Sequence, residues 1–214
     1  NTEIARYFFA TFVVRNLTLV YVVWLFERDV VQGTLSHLLL QPMNPMWRYA
    51  ADHVGERIMR LPLLAIVAVV FFAVFPEALW LPTWNELLLG IVALIATFVM
   101  RFLVQYAFAM LAFWTERAHA VEQFWALPYM FLSGMVAPLE FYPESIKWLL
   151  LYTPFPYLIW FPARVLIGGE IALAGREVSL AFGFGVILAW AAVFYLIYRG
   201  LWTLGIRKYS AMGA

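Results

Sequence analysis

Between Glu86 and Trp114 the chain reads ELLLGIVALIATFVMRFLVQYAFAMLAFW, with Arg101 the one charge inside it. A mostly apolar helix of about 17–25 residues crosses a bilayer, because it satisfies its own backbone donors and acceptors where no water can. In water this run would have to be hidden, and the rest of the chain offers nothing to hide it. Of the 214 residues, 65% are hydrophobic and 13% charged, with a mean hydropathy of +0.83. A soluble domain carries about a quarter charged residues. The chain therefore reads as an all-α integral membrane protein, a single transmembrane domain over 1–214. Its net charge of +1 gives no field to recruit nucleic acid. The absence of cysteine excludes a disulfide framework and thiol chemistry.

Four further apolar runs accompany the first, giving expected spans at 4–26, 58–75, 86–114, 120–139 and 178–204. Charge chooses their sides. Arg28, Arg48, Arg57 and Arg60 follow the first span, Arg117 follows the third, and Arg199, Arg207 and Lys208 end the chain. The alternate loop 76–85 has no Lys or Arg, and the long segment 140–177 has only Lys147, Arg164 and Arg176. The positive-inside rule then puts loop 27–57, the 115–123 turn and the C-terminus in the cytoplasm. Trp80 and Trp84 suit an interfacial belt at one face, and Trp24, Trp47, Trp114 and Trp202 one at the other. From Asn1 onward no basic n-region with a cleavage site is visible, and residues are expected upstream.

Segment 140–169 does not read as a span, because prolines stand at 143, 154, 156 and 162. Short helices are expected at Ser145–Tyr152 and Tyr157–Ile167, the second stopped by Gly168-Gly169. Around Thr153-Pro154-Phe155-Pro156 they suggest a re-entrant extracellular pair before the last span, a shape tolerated only when buried in protein or lining a cavity. The fourth span breaks at Ser133, Gly134 and Pro138. This is either a plain helix end or a hinge or outer gate, as in interrupted transporter helices.

The cytoplasmic loop contains VVQGTLSHLLLQP, residues 30–42. As a helix, Val31, Leu35, Leu38 and Leu39 form one apolar stripe that ends before Pro42. Such a helix either lies on the membrane or docks a cytoplasmic protein. The pattern Gly33-Thr34-Leu35 through Leu39 to Pro42, just inside a span, resembles the first cytoplasmic loop of type-two ABC exporter permeases, in the group of short bacterial permeases. A second match is FLSGMVAPL, 131–139, leading through Pro143 to Thr153-Pro154-Phe155-Pro156-Tyr157 before the final span. The resemblance covers nearly the whole chain. It implies six spans in the full protein, one of them before Asn1, in a bacterial inner membrane. It also implies pairing with a second permease, identical or a sister, and a coupling helix at Val31–Leu39 resting on an ATP-binding subunit. The chain has no Gly-x-x-x-x-Gly-Lys-Ser/Thr phosphate loop, so ATP and Mg are expected on that partner and no cofactor on this chain.

Polar residues inside spans usually face protein or water. Arg15 with Thr11 and Thr18, and Arg101 with Thr97 and Gln105, form two such stripes. Each arginine either fixes helix packing or lines a substrate path for an anionic or amphiphilic molecule. His37, His53 and His119 lack metal-ligand spacing and are expected in solvent. Asp52-His53 with Glu56, beside Arg57 and Arg60, reads as a mixed-charge helix face. A membrane-embedded lipid-modifying enzyme would need a catalytic acid or base at membrane depth, and no Asp, Glu or His lies well inside a span. The remaining alternative is a membrane assembly protein without transport.

Overall fold

A computed structural model describes residues 2–209. Among them four helical stretches are long and apolar enough to cross a membrane: 2–31, 45–74, 84–113 and 180–208. The first is two helices, α1 (Thr2–Thr18) and α2 (Val22–Val31). The Thr18 hydroxyl donates to the Val14 carbonyl at 2.8 Å, a back-bond that bends helices, and the β-branched Val20 follows. Residues 19–21 leave the helix there. Gly33, at φ 75°, turns the chain into the short α3 (Leu35–Leu39).

The expected span 58–75 begins earlier, as α4 (Pro45–Val74). Asn44 caps it by accepting from the Met46 N–H at 2.9 Å, and Pro45 occupies the first helical position, where its missing N–H costs nothing. The loop expected at 27–57 therefore shrinks to the residues around α3. Pro62 lies inside α4 without ending it.

The central helix, α5 (Trp84–Ala109), starts with a capping box between Thr83 and Glu86 and tightens over Met110–Phe113. It packs against α1, α2 and three later helices: α6 (Ala118–Leu132), α8 (Trp160–Leu166) and α9 (Leu180–Lys208). The expected span 120–139 is helical only to Leu132, and α6 has 15 residues. The expected helix pair appears as α7 (Glu144–Leu150) and α8, both shorter than read from sequence. The α8 helix is buried among its neighbours, while α7 exposes Trp148 and Leu149. It ends with Gly169 N–H on the Arg164 carbonyl and Gly168 N–H on the Val165 carbonyl, two bonds that reverse the chain. A two-stranded hairpin that sequence reasoning did not anticipate, β1 (Ala172–Leu173) and β2 (Arg176–Glu177), leads into α9.

Lipid is as apolar as leucine, so helices in a membrane associate through close packing and polar contacts rather than by escaping water. Aromatic edges do much of that packing here. Phe26 meets Tyr49, Tyr106 and Phe113 with ring centroids 5.4–5.9 Å apart, tying α2, α4 and α5 together near α3. Tyr198 of α9 joins this group through Tyr106 at 5.0 Å. At the other end Phe9 stacks on Phe71 at 4.5 Å. Between these contacts α4 is exposed from Ile58 to Val70 along most of its surface.

Candidate functional site

The α3 segment divides into an anchored side and a free side. Leu35 and Leu38 are buried and Leu39 partly so. Val31, expected at the start of the same helix, belongs to α2 instead. Polar ties hold the segment in place. Thr34 Oγ1 donates to Asp29 Oδ1 at 3.0 Å, Tyr49 OH donates to Asp29 Oδ2 at 2.7 Å, and Ser36 Oγ lies 3.1 Å from Tyr209 OH. Asn44 Nδ2 donates to Tyr198 OH at 3.1 Å. Gln32, Thr34, His37, Gln41 and Pro42 face outward, together with Leu40 at 85% exposure and Met43 at 52%. Beside them a groove of about 430 Å³ runs between Arg28, Gln32 and Glu116. The apolar stripe read from sequence is thus the anchor, and Leu40 and Met43 are the apolar residues left uncovered.

The break at 19–21 is closed by a residue expected in solvent. His53 is 1% exposed. Its Nδ1 lies 2.7 Å from the Tyr49 carbonyl, and its Nε2 accepts the Tyr21 N–H at 3.2 Å. A backbone N–H only donates and a carbonyl only accepts, so this ring carries its proton on Nδ1 and is neutral. It replaces the helical bond that Tyr21 lost at the break. Glu56 gathers Tyr21, Arg57 and Arg60 around its carboxylate, so the expected mixed-charge face is in part an interior cluster. His119, also expected in solvent, is stacked on Trp24 at 4.0 Å, and its N–H donates to Glu27 Oε2 at 2.8 Å, joining α6 to α2.

The two arginine stripes come apart differently. On α1, Thr11 and Thr18 are buried while Arg15 is exposed on the face of Ile4, Phe8 and Phe12. On α5, Thr97, Arg101 and Gln105 are all buried. The Thr97 hydroxyl donates to the Tyr157 carbonyl at 3.2 Å. Arg101 Nη1 donates to Thr18 Oγ1 at 3.4 Å, and its guanidinium lies over the Tyr129 ring at 4.6 Å. Gln105 Nε2 donates to Glu122 Oε1 at 2.7 Å. Arg101 thus reaches the break in the first span.

At the opposite end the chain leaves α6 through Ser133 and Gly134, the latter at φ 83°. Tyr7 OH donates to the Gly134 carbonyl at 2.6 Å, and Trp160 N–H donates to the Ser133 carbonyl at 3.0 Å. Pro138 is buried beside them, as are Pro154 and Pro156, with Phe155 packed on Trp125 at 4.6 Å. Glu140 Oε1 accepts from Arg164 Nη2 at 2.5 Å and from Trp160 Nε1 at 3.0 Å. Of the residues expected to form a gate, Ser133, Gly134 and Pro138 therefore lie at one hydrogen-bonded layer that fastens α1 to α8, whereas Pro154, Phe155 and Pro156 lie apart from it, Phe155 against Trp125 of α6. Sequence spacing gave no sign of Tyr7, Glu140 or Trp160.

Membrane-length helices packed on a central α5, buried from Met100 to Ala109 along most of its surface, with short helices closing one end, define a multi-pass membrane protein. A family model described as ABC-2 family transporter protein matches residues 2–213, and the chain belongs to that family. It is a membrane-spanning component of a transport system, of a kind that works with ATP-binding subunits. Comparison with curated proteins and with solved structures gives no match.

Proposed function

We propose that the chain is the permease subunit of an ATP-binding-cassette exporter. In this reading two permease subunits pair in a bacterial inner membrane, and each α3 rests on an ATP-binding subunit in the cytoplasm. The observation that carries it is the two-sided α3 segment: Leu35 and Leu38 rooted in the bundle, and Leu40 and Met43 presented bare among polar residues. An apolar pair exposed on a rigidly anchored, otherwise polar turn fits a protein partner better than lipid. The arginine excess on that side supports a cytoplasmic placement.

The mechanism follows from the joints. ATP binding closes the partner subunits and displaces α3. The displacement passes through Asp29 and the aromatic contacts of Phe26 into α2, α4 and α5. The path between paired subunits then opens outward, with Arg15 and Arg101 facing cargo and the layer around Ser133, Gly134 and Pro138 acting as the outer gate. Such coupling is a mechanical link between a packed element and a bundle with two packings.

Copurification tests this reading. The chain, tagged and extracted in mild detergent from its own cells, is expected to retain an ATP-hydrolysing subunit at equal stoichiometry. Extraction of a folded bundle free of any ATPase, in several detergents and by crosslinking in membranes, would overturn it.

A further inference from the structure

A crevice of about 150 Å³ opens between the break in the first span and α6, lined by Leu19, Val20, Arg101, Gln105, Glu122 and Tyr129 among others. Its polar groups are unevenly matched. Arg101 has five N–H donors and uses one, on Thr18. Neither Arg101 nor Arg15 enters an ion pair among the described residues. The Tyr129 hydroxyl is buried without a partner. The one acid in the lining, Glu122, already accepts from Gln105 at 2.7 Å. The crevice therefore holds unused donors on Arg101 and Tyr129 near the middle of a membrane-length helix, with the Glu122 carboxylate turned to Gln105 and not ion-paired to Arg101. A desolvated cation there is costly unless an anion joins it. The ring of Tyr129 holds the guanidinium on one side and leaves its edge to a ligand.

The mouth supplies the rest. Ala126 is exposed and Leu19 half-buried, and Arg15 stands four residues before Leu19 on the surface of α1. Phe12 and Phe8 continue that surface away from α3 and are exposed. We propose that the crevice binds the phosphate or carboxylate headgroup of an anionic amphiphile, with Arg101 and Tyr129 as donors, Arg15 at the rim and the alkyl chain along Phe12 and Phe8. That this molecule is cargo rests on the exporter reading; that the crevice binds it does not.

The test uses the purified chain in dodecyl maltoside, titrated with dodecyl phosphate and followed by native mass spectrometry. Saturable binding of one molecule per chain is expected, without competition from dodecyltrimethylammonium. Arg101→Gln should weaken it about tenfold or more, the size expected for a charged hydrogen bond. Leu19→Trp, which fills the mouth and leaves Arg101 in place, should weaken it similarly, so a folding defect in one variant does not decide the outcome. Absence of saturable binding, binding by both variants as tight as that of the unaltered chain, or displacement by the cationic amphiphile would each overturn the proposal. Stimulation of the partner subunit's ATP turnover by dodecyl phosphate would mark the occupant as cargo. Phosphatidylglycerol retained through extraction, lost in Arg101→Gln and without effect on turnover, would mark it as a resident lipid; both support the crevice. Loss of binding with an ATPase still copurifying removes this proposal alone, and binding without any ATPase removes the exporter reading alone.

Discussion

Tyr7 and Gly134 stand 127 positions apart and share one buried hydrogen bond of 2.6 Å. Tyr7→Phe leaves that carbonyl without its donor, and a loss of about 1 kcal/mol is expected. Gly134→Ala adds a Cβ at φ 83° against the Tyr7 hydroxyl and the Trp160 side chain, and a loss of about 1–2 kcal/mol or more is expected. Thermal unfolding in detergent, followed by tryptophan fluorescence, measures both. An unchanged midpoint for Gly134→Ala would show that the outer layer does not hold the fold. At this scale the sequence was informative about which polar residues lie inside the spans and silent about how they pair. Helical spacing puts Arg15 with Thr11 and Thr18, yet burial sends the threonines inward and the arginine outward. His53 was misread because its role is to accept an N–H released by a break that no proline or glycine marks.

Elements were more legible where they are long. The apolar runs located α5 and α9 closely, since length and hydropathy alone mark a membrane helix. The start of α4 lies well before its apolar run: Asn44-Pro45 is a strong opening signal, but the turns that follow it are polar and charged, so hydropathy marks only the later part of the helix. The short α3 was found from its stripe, but the stripe alone did not say which side meets the bundle: Leu35 and Leu38 are buried, and Leu40 just beyond them is exposed. This division yields paired expectations. Leu40→Asp should leave the yield of folded protein unchanged and abolish retention of the ATP-binding subunit. Leu35→Asp should reduce folded yield several-fold, because it buries an unpaired carboxylate. Size-exclusion profiles and copurified ATPase distinguish the two. A Leu40→Asp complex that stays intact and hydrolyses ATP normally would remove α3 from the coupling route.

For the whole molecule, the arrangement predicts two faces with different chemical access. The chain has no cysteine, so single cysteines report position directly. Leu81→Cys lies at 86% exposure in the loop between α4 and α5, and Leu40→Cys at 85% beside α3. In intact cells a membrane-impermeant maleimide should modify position 81 and leave position 40 untouched until the cells are opened. The reverse pattern would invert the bundle and place α3 beyond reach of any cytoplasmic ATPase. The three-residue interruption at 19–21 adds a consequence of its own. Above it α1 is pinned to the far layer through Tyr7 and Arg6, and below it α2 is bolted to the α3 turn through Asp29. A shove arriving from below therefore meets its first yielding point beside Arg101, so the molecule resembles a jointed lever whose elbow sits against the guanidinium, able to loosen or tighten that grip before the motion reaches the far end.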